Sequence, residues 1–240
     1  MPRFFVDSLC ETVVITGEDA RHISKSLRMT SGESLILCDG KGLEANGVII
    51  SLSPDAVSVR LDEAAVCIAE PQTPVHLYLA MPKGDKLELV IQKAVELGAA
   101  EIVILLSSRC ISRPKGDAAS KKIQRLQKIA NEAAKQCGRG ILPPVRGILS
   151  FPQAVKEMQQ FDNGFILYEG TCEPLRSQLP KRGTTLALLV GSEGGFSVEE
   201  IVQATESGVR TASLGKRILR CETAPIAALA AVMFALGEMD

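Results

Sequence analysis

The chain has no tryptophan, two tyrosines and two histidines. That leaves little of the aromatic surface on which RNA bases stack in RRM-type sheets, and no RNP-type aromatic motif is present. It also lacks a GxGxxG turn after a strand, a GxxxxGK[ST] loop, a GxSxG elbow and an HExxH pair. Dehydrogenase, P-loop, serine hydrolase and zincin chemistries lose their support with them. The seven cysteines (10, 38, 67, 110, 137, 172 and 221) are scattered, odd in number and without a CxxC pair. Neither a disulfide framework nor a zinc site is expected, and no metal is assigned. The longest wholly apolar run, Ala224 to Leu236, is too short to span a bilayer, and Met1 to Ala20 lacks a charged segment followed by an apolar one. A soluble, cytoplasmic protein with no membrane partner is expected.

Charge of neither sign dominates, since the net charge is −1. Its distribution is uneven. Residues 1–70 carry 6 basic and 11 acidic side chains, whereas residues 71–240 carry 21 and 17. Ser107 to Gly147 alone holds ten basic residues against Asp117 and Glu132, and Arg210 to Arg220 holds four against none. Clusters of this kind suit a polyphosphate partner, because neutralising phosphates releases counterions.

Short strands punctuated by turn residues fill the first part: Arg3 to Val6, Val13 to Thr16, Ser34 to Cys38, Gly47 to Leu52 and Ala56 to Leu61, with a helix near Ala20 to Met29. A small β-barrel or sandwich over about 70 residues is expected, close to the lower limit for an independent core. The linker Glu70-Pro71-Gln72-Thr73-Pro74 follows. From Val75 the rhythm becomes that of an α/β parallel sheet, with strands at Val75 to Ala80, Glu101 to Leu106, Gly164 to Tyr168, Thr185 to Val190 and Val209 to Leu214. Asp85 to Leu97 carries an apolar stripe, and Ala119 to Cys137 is a basic amphipathic helix. Ala224 to Met239 is apolar all round and rich in small residues, which calls for a covering surface such as a second copy of the chain.

Three segments carry candidate chemistry. The buried-type strand ending at Val190 runs into Gly191-Ser192-Glu193-Gly194-Gly195-Phe196-Ser197, and Ser197 with Glu200 forms a capping box. Such a loop either brings backbone close to a ligand or makes a tight strand-to-helix turn. Ser213 to Thr223 leaves the next strand at the same edge, carrying Lys216, Arg217 and Arg220. By itself it reads more readily as a solvated basic loop, which charge runs usually are. In the third segment, Asn131 to Gly140, Gly138 caps the basic helix and Arg139 projects from the cap, either to grip a phosphate or to meet the helix carbonyls.

Taken in order, Glu132 to Arg139, Gly191 to Ser197 and Ser213 to Thr223 resemble the RsmE family of 16S rRNA uracil-N3 methyltransferases, within the SPOUT superfamily. Arg3 to Val6, His22 to Arg28, Gly32-Glu33 and Asp39 to Gly42 extend the resemblance to the amino-terminal part. It implies an α/β protein with a small PUA-like β-barrel, residues 1–70, that binds RNA. It further implies a SPOUT methyltransferase domain with a carboxyl-terminal trefoil knot over residues 74–240, and a chain that works as a homodimer. Departures from the family pattern are Ser192 where proline is common, Cys221 where threonine is common, and Ser108-Arg109-Cys110 in place of Glu-Arg-Ser.

The resemblance also implies site residues. S-adenosylmethionine is expected within the backbone around Leu167, Tyr168, Glu169 and Gly170, then Gly191, Glu193, Gly194 and Gly195, then Leu214, Gly215, Arg217, Ile218 and Leu219. Arg139 and Arg220 are expected to hold the phosphate or the uracil as charge develops. By position, Glu169, Glu193 and Glu222 are candidate proton acceptors, and a water serves equally well. Lys121, Arg125, Lys128, Arg109 and Arg113, with Arg3 and Arg28, are expected to contact phosphates of 16S rRNA or the small ribosomal subunit. A ribose 2′-O methyltransferase and a non-catalytic RNA-binding assembly factor are the other readings.

Overall fold

The structure is a computed structural model that describes residues 1–239. Contacts divide it into two units. Met1–Glu70 and Ala134–Leu142 form one, and Pro71–Ala133 with the chain from Pro143 onward forms the other.

In the first unit the elements run β1 (Arg3–Phe5), β2 (Thr12–Thr16), α1 (Gly17–Arg21), continued by a wider turn over His22–Ser26, then β3 (Ser34–Cys38), β4 (Leu43–Leu52), β5 (Ala56–Leu61) and β6 (Ala65–Val66). They form one sheet in the order β1-β3-β4-β5-β2, with β6 added against β4. Only β1 and β3 are parallel. Inward and outward residues alternate along β5, so Val57, Val59 and Leu61 enter the core while Arg60 stays outside. Phe4, Ile15, Leu35, Leu37 and Ile49 meet them there. The helix starts three residues earlier than its sequence pattern suggests, and it drops Ala20 and Ile23 into the same core.

The second unit contains β7 (Val75–Ala80), α2 (Lys86–Glu96), β8 (Glu101–Leu106), α3 (Asp117–Cys137, whose last turn belongs to the first unit), β9 (Val145–Ser150), α4 (Phe151–Met158), β10 (Asn163–Leu167), α5 (Leu175–Gln178), β11 (Leu186–Val190), α6 (Val198–Glu206), β12 (Arg210–Ala212) and α7 (Thr223–Ala235). All six strands are parallel, in the order β12-β10-β11-β7-β8-β9. Strand β9 and helix α4 are additions to the sequence expectation. Strand β11 lies inside the sheet and all five of its residues are buried, which is why it reads as an unbroken apolar run. Leu87, Val90, Ile91, Ala94 and Val95 form the buried stripe of α2, which packs against α7. From α7, Pro225, Ala228, Leu229, Val232 and Met233 face the core, and Phe234 on the other side is 72% exposed. Among the described residues no helix is long and apolar enough to cross a membrane, and no His, Cys, Asp and Glu group is arranged to hold a metal ion.

Candidate functional site

Three neighbouring parallel strands, β11, β10 and β12, end side by side, and the loops that leave their carboxyl ends enclose a cleft of about 820 Å³. Open α/β sheets bind ligands at this edge, and the volume lies in the range of small-molecule sites. The loop after β11 is a tight turn closed by the Gly195 N–H donating to the Ser192 carbonyl at 2.9 Å. Gly195 has φ +62°, and a side chain there would also crowd the Glu169 carboxylate. Ser197 then starts α6 with the capping box read from the sequence. Glu200 does more than cap, because its carboxylate accepts the Ser108 N–H at 2.6 Å and the Ser108 hydroxyl at 3.0 Å. The β10 and β12 loops are stitched together by backbone: Ser213 N–H donates to the Glu173 carbonyl and Leu175 N–H to the Ser213 carbonyl.

Leu167, Tyr168, Glu169, Gly191, Glu193, Gly195, Leu214, Gly215, Arg217, Ile218 and Leu219 all line the cleft, as does Arg220. Gly170 and Gly194 do not; the Gly194 carbonyl instead accepts a bond from Arg109 at 2.9 Å. Motif reading passed over Thr171, Cys172 and Pro174, which also line it, as does Ser192 of the glycine turn. Adjacency to Leu167–Gly170 is the only signal that could have found the first three. The Ser192 hydroxyl is buried and is the one such side-chain atom among the described residues without a hydrogen-bond partner.

The acidic groups differ sharply. Glu193 accepts from the Lys83 N–H and from Lys86 Nζ, and although burial pushes its pKa up, these bonds hold it below the usual carboxylate range. Glu222 is lowered by the Cys221 thiol and by Lys86. Burial, with the bond to Glu222, pushes the Cys221 thiol up to about 12, so it stays a neutral donor. Glu169 is exposed and has no hydrogen-bond or ion-pair partner among the described residues.

The arginine expected to project from the α3 cap does not. Arg139 is 4% exposed, and its Nε and Nη2 bond Oε2 of Glu70 at 3.1 and 2.7 Å. The other oxygen of Glu70 accepts the N–H groups of Gly140 and Ile141, both at 2.8 Å. The turn after Gly138 thus presents its N–H groups and its guanidinium to one carboxylate, which draws the arginine inward. Arg3 is likewise drawn in, bonded to Glu44 at 2.6 Å and to Cys38. Arg28 is exposed. Lys121, Arg125 and Lys128 stand in solvent along one side of α3, with Arg125 bonded to Glu88. Arg113 is anchored on the carbonyls of Ser107, Ser108 and Cys110.

A family model described as an RNA methyltransferase domain matches residues 69–233, and one described as an RNA methyltransferase PUA domain matches residues 15–62. The chain is 37% identical to the ribosomal RNA small subunit methyltransferase E of Bacillus subtilis, over 98% of this chain and 96% of that protein. The Mycobacterium bovis protein of the same name is 31% identical, over 99% and 93%. The Neisseria gonorrhoeae ribosomal RNA small subunit methyltransferase E, solved bound to S-adenosylmethionine, superposes with a TM-score of 0.89 at 32% identity, covering 98% of this chain and 97% of that one. A Legionella pneumophila protein solved in complex with S-adenosylmethionine gives 0.88 at 32% identity, covering 97% of each chain.

Proposed function

The chain belongs to the family of ribosomal RNA small subunit methyltransferases E, and on that premise we propose that it transfers a methyl group from S-adenosylmethionine to N3 of a uridine in 16S rRNA. The observation that carries this reading is the cleft at the ends of β10, β11 and β12. Its residues suit the cofactor. Leu167, Val190, Leu214, Ile218 and Leu219 offer an apolar wall for an adenine ring, the glycine turn leaves backbone open to a ligand, and Ser192 has unused hydrogen-bonding capacity.

When bound, the cofactor supplies an electrophilic methyl group on a sulfonium. The chain's own part is alignment and removal of a proton. Glu169 takes the N3 proton in this reading, because Glu193 and Glu222 are both engaged by Lys86 while Glu169 is not. Arg220, exposed on the cleft wall, meets the negative charge that develops on the uracil. Arg139 meets RNA only where RNA displaces Glu70, since that carboxylate holds its guanidinium. Arg28, Arg109, Arg113, Lys121, Arg125 and Lys128 are assigned to RNA phosphates, and Arg3 to holding Glu44.

Residues 1–70 are assigned as a PUA-like, RNA-binding barrel and residues 74–240 as a SPOUT domain with a trefoil knot. The apolar outer side of α7, centred on Phe234, supports a homodimer. A ribosomal substrate sets the work in the cytoplasm. Isothermal titration with S-adenosylmethionine tests the cleft: one site per chain is expected, lost in Gly195→Val. Mass-spectrometric mapping of methylated 16S rRNA tests the target atom, and a methyl group on a ribose 2′-oxygen would overturn the uracil assignment.

A further inference from the structure

No motif singles out Lys86, yet its ammonium lies between two of the loops that build the cleft. Nζ is 3.1 Å from Oε1 of Glu193, in the glycine turn after β11, and 3.3 Å from Oε2 of Glu222, where the loop after β12 enters α7. The Cys221 thiol, 3.7 Å from Nζ, donates to the Glu222 carboxylate at 3.2 Å. Lys86 is itself the first residue of α2, which follows β7, the neighbour of β11 on the side away from β10. Three residues earlier in that connection, the Lys83 N–H holds Glu193 a second time.

We propose that Lys86 is a positioning residue that ties the β11 and β12 loops to each other through Glu193 and Glu222 and so sets the width of the cofactor cleft. The proposal rests on the reading that this cleft binds S-adenosylmethionine. As a contributor to global stability, a pair that is one-third exposed counts for little. As a link it is decisive, because both carboxylates lie within reach of one nitrogen. Without that nitrogen, two negative groups on separate loops face each other and push the loops apart. Cys221, a departure from the family pattern, strengthens the tie by keeping a neutral donor on Glu222.

Three variants test this: Lys86→Met, Lys86→Arg, and Lys86→Met combined with Glu222→Gln. Hydrogen exchange of the ligand-free proteins reads the tie, and calorimetric titration with S-adenosylmethionine reads its consequence. Lys86→Met is expected to speed exchange in both loops, 191–196 and 213–222, and to weaken cofactor binding about tenfold with the unfolding temperature nearly unchanged. Lys86→Arg should keep slow exchange and affinity. Glu222→Gln should recover part of the affinity lost in Lys86→Met, which a residue that merely fills space would not allow. Wild-type exchange in either loop of Lys86→Met, undiminished affinity, or no recovery in the double variant overturns the proposal. A wild-type protein that binds no cofactor overturns the reading of the cleft instead, and the exchange rates still judge the tie.

Discussion

The two units differ in where several of their cations point. In the first, Arg3 closes on Glu44, Lys135 on Asp19 and Arg139 on Glu70, and of these six side chains none is more than 31% exposed. In the second, Lys121 and Lys128 stand on the open side of α3, Arg220 lies on the cleft wall, and Glu169 has neither a hydrogen bond nor an ion pair among the described residues. A basic residue can therefore point to RNA or to its own fold, and charge counted along the chain does not distinguish the two. Partner and burial do. Among the acidic groups of the second unit the same contrast recurs on a smaller scale, with Glu193 and Glu222 engaged and Glu169 open.

The largest effect that sharpens this contrast is on turnover. Glu169→Gln should lower kcat by at least about a hundredfold, the usual minimum for a general base, while the cofactor Kd stays put. Turnover equal to wild type would hand the proton to water. Next comes the buried pair of the first unit. Arg139→Ala leaves Glu70 buried without its cation and should destabilise the protein by about 3 kcal/mol in chemical denaturation, with cofactor affinity retained. Glu70→Ala should cost more still, because it also strips acceptors from the N–H groups of Gly140 and Ile141. If Arg139→Ala unfolds at wild-type denaturant concentrations, the inward placement carries no stability and the two units differ less than their geometry says.

A smaller effect separates the cations by use. Replacing Lys121 and Lys128 by alanine should weaken RNA binding about tenfold at low salt and reduce the slope of log K against log salt by about 2. Arg3→Ala should leave that slope alone. A reduced slope in Arg3→Ala, measured by filter binding across a salt series, would mean that the Glu44 pair opens for RNA.

Much of the fold was legible because strand and helix patterns are local. Val75–Ala80, Glu101–Leu106, Ser34–Cys38 and Ala56–Leu61 were readable to the residue, each an apolar or alternating run between turn signals. Strand β9 was not, since Gly147 sits inside it at φ +116° and Pro152 follows closely, so the segment resembles a loop. Gly147 is there because a side chain would collide with the Ile104 carbonyl. The cleft was legible as far as its glycine turn and the loop after β12. What composition could not give were the partners: Glu44 is 41 positions from Arg3, Glu70 is 69 from Arg139, and Glu193 is 107 from Lys86. Those pairs exist only once the chain is folded, so the inward turn of Arg3 and Arg139 and the role of Lys86 had no sequence signal.

The mildest test concerns a network in the second unit that pairs charges as the first unit does. Glu101 accepts from Arg146 at 2.6 Å and from His76 at 3.1 Å, and Arg146 also reaches Glu157 at 2.8 Å. Burial pushes the Glu101 carboxyl up, but the bonds from His76 and Arg146 outweigh it and hold the group at about 2, against an ordinary 4.5. A folded-state pKa below the unfolded one means that folding favours the ionised form. The stabilisation is then fully present above about pH 4.5 and is lost as the pH falls toward 2. Thermal unfolding of wild type and Glu101→Gln should therefore differ at pH 6 and converge steadily between pH 4.5 and 2. A gap that persists at the acid end would show that Glu101 acts there through packing and not through its charge.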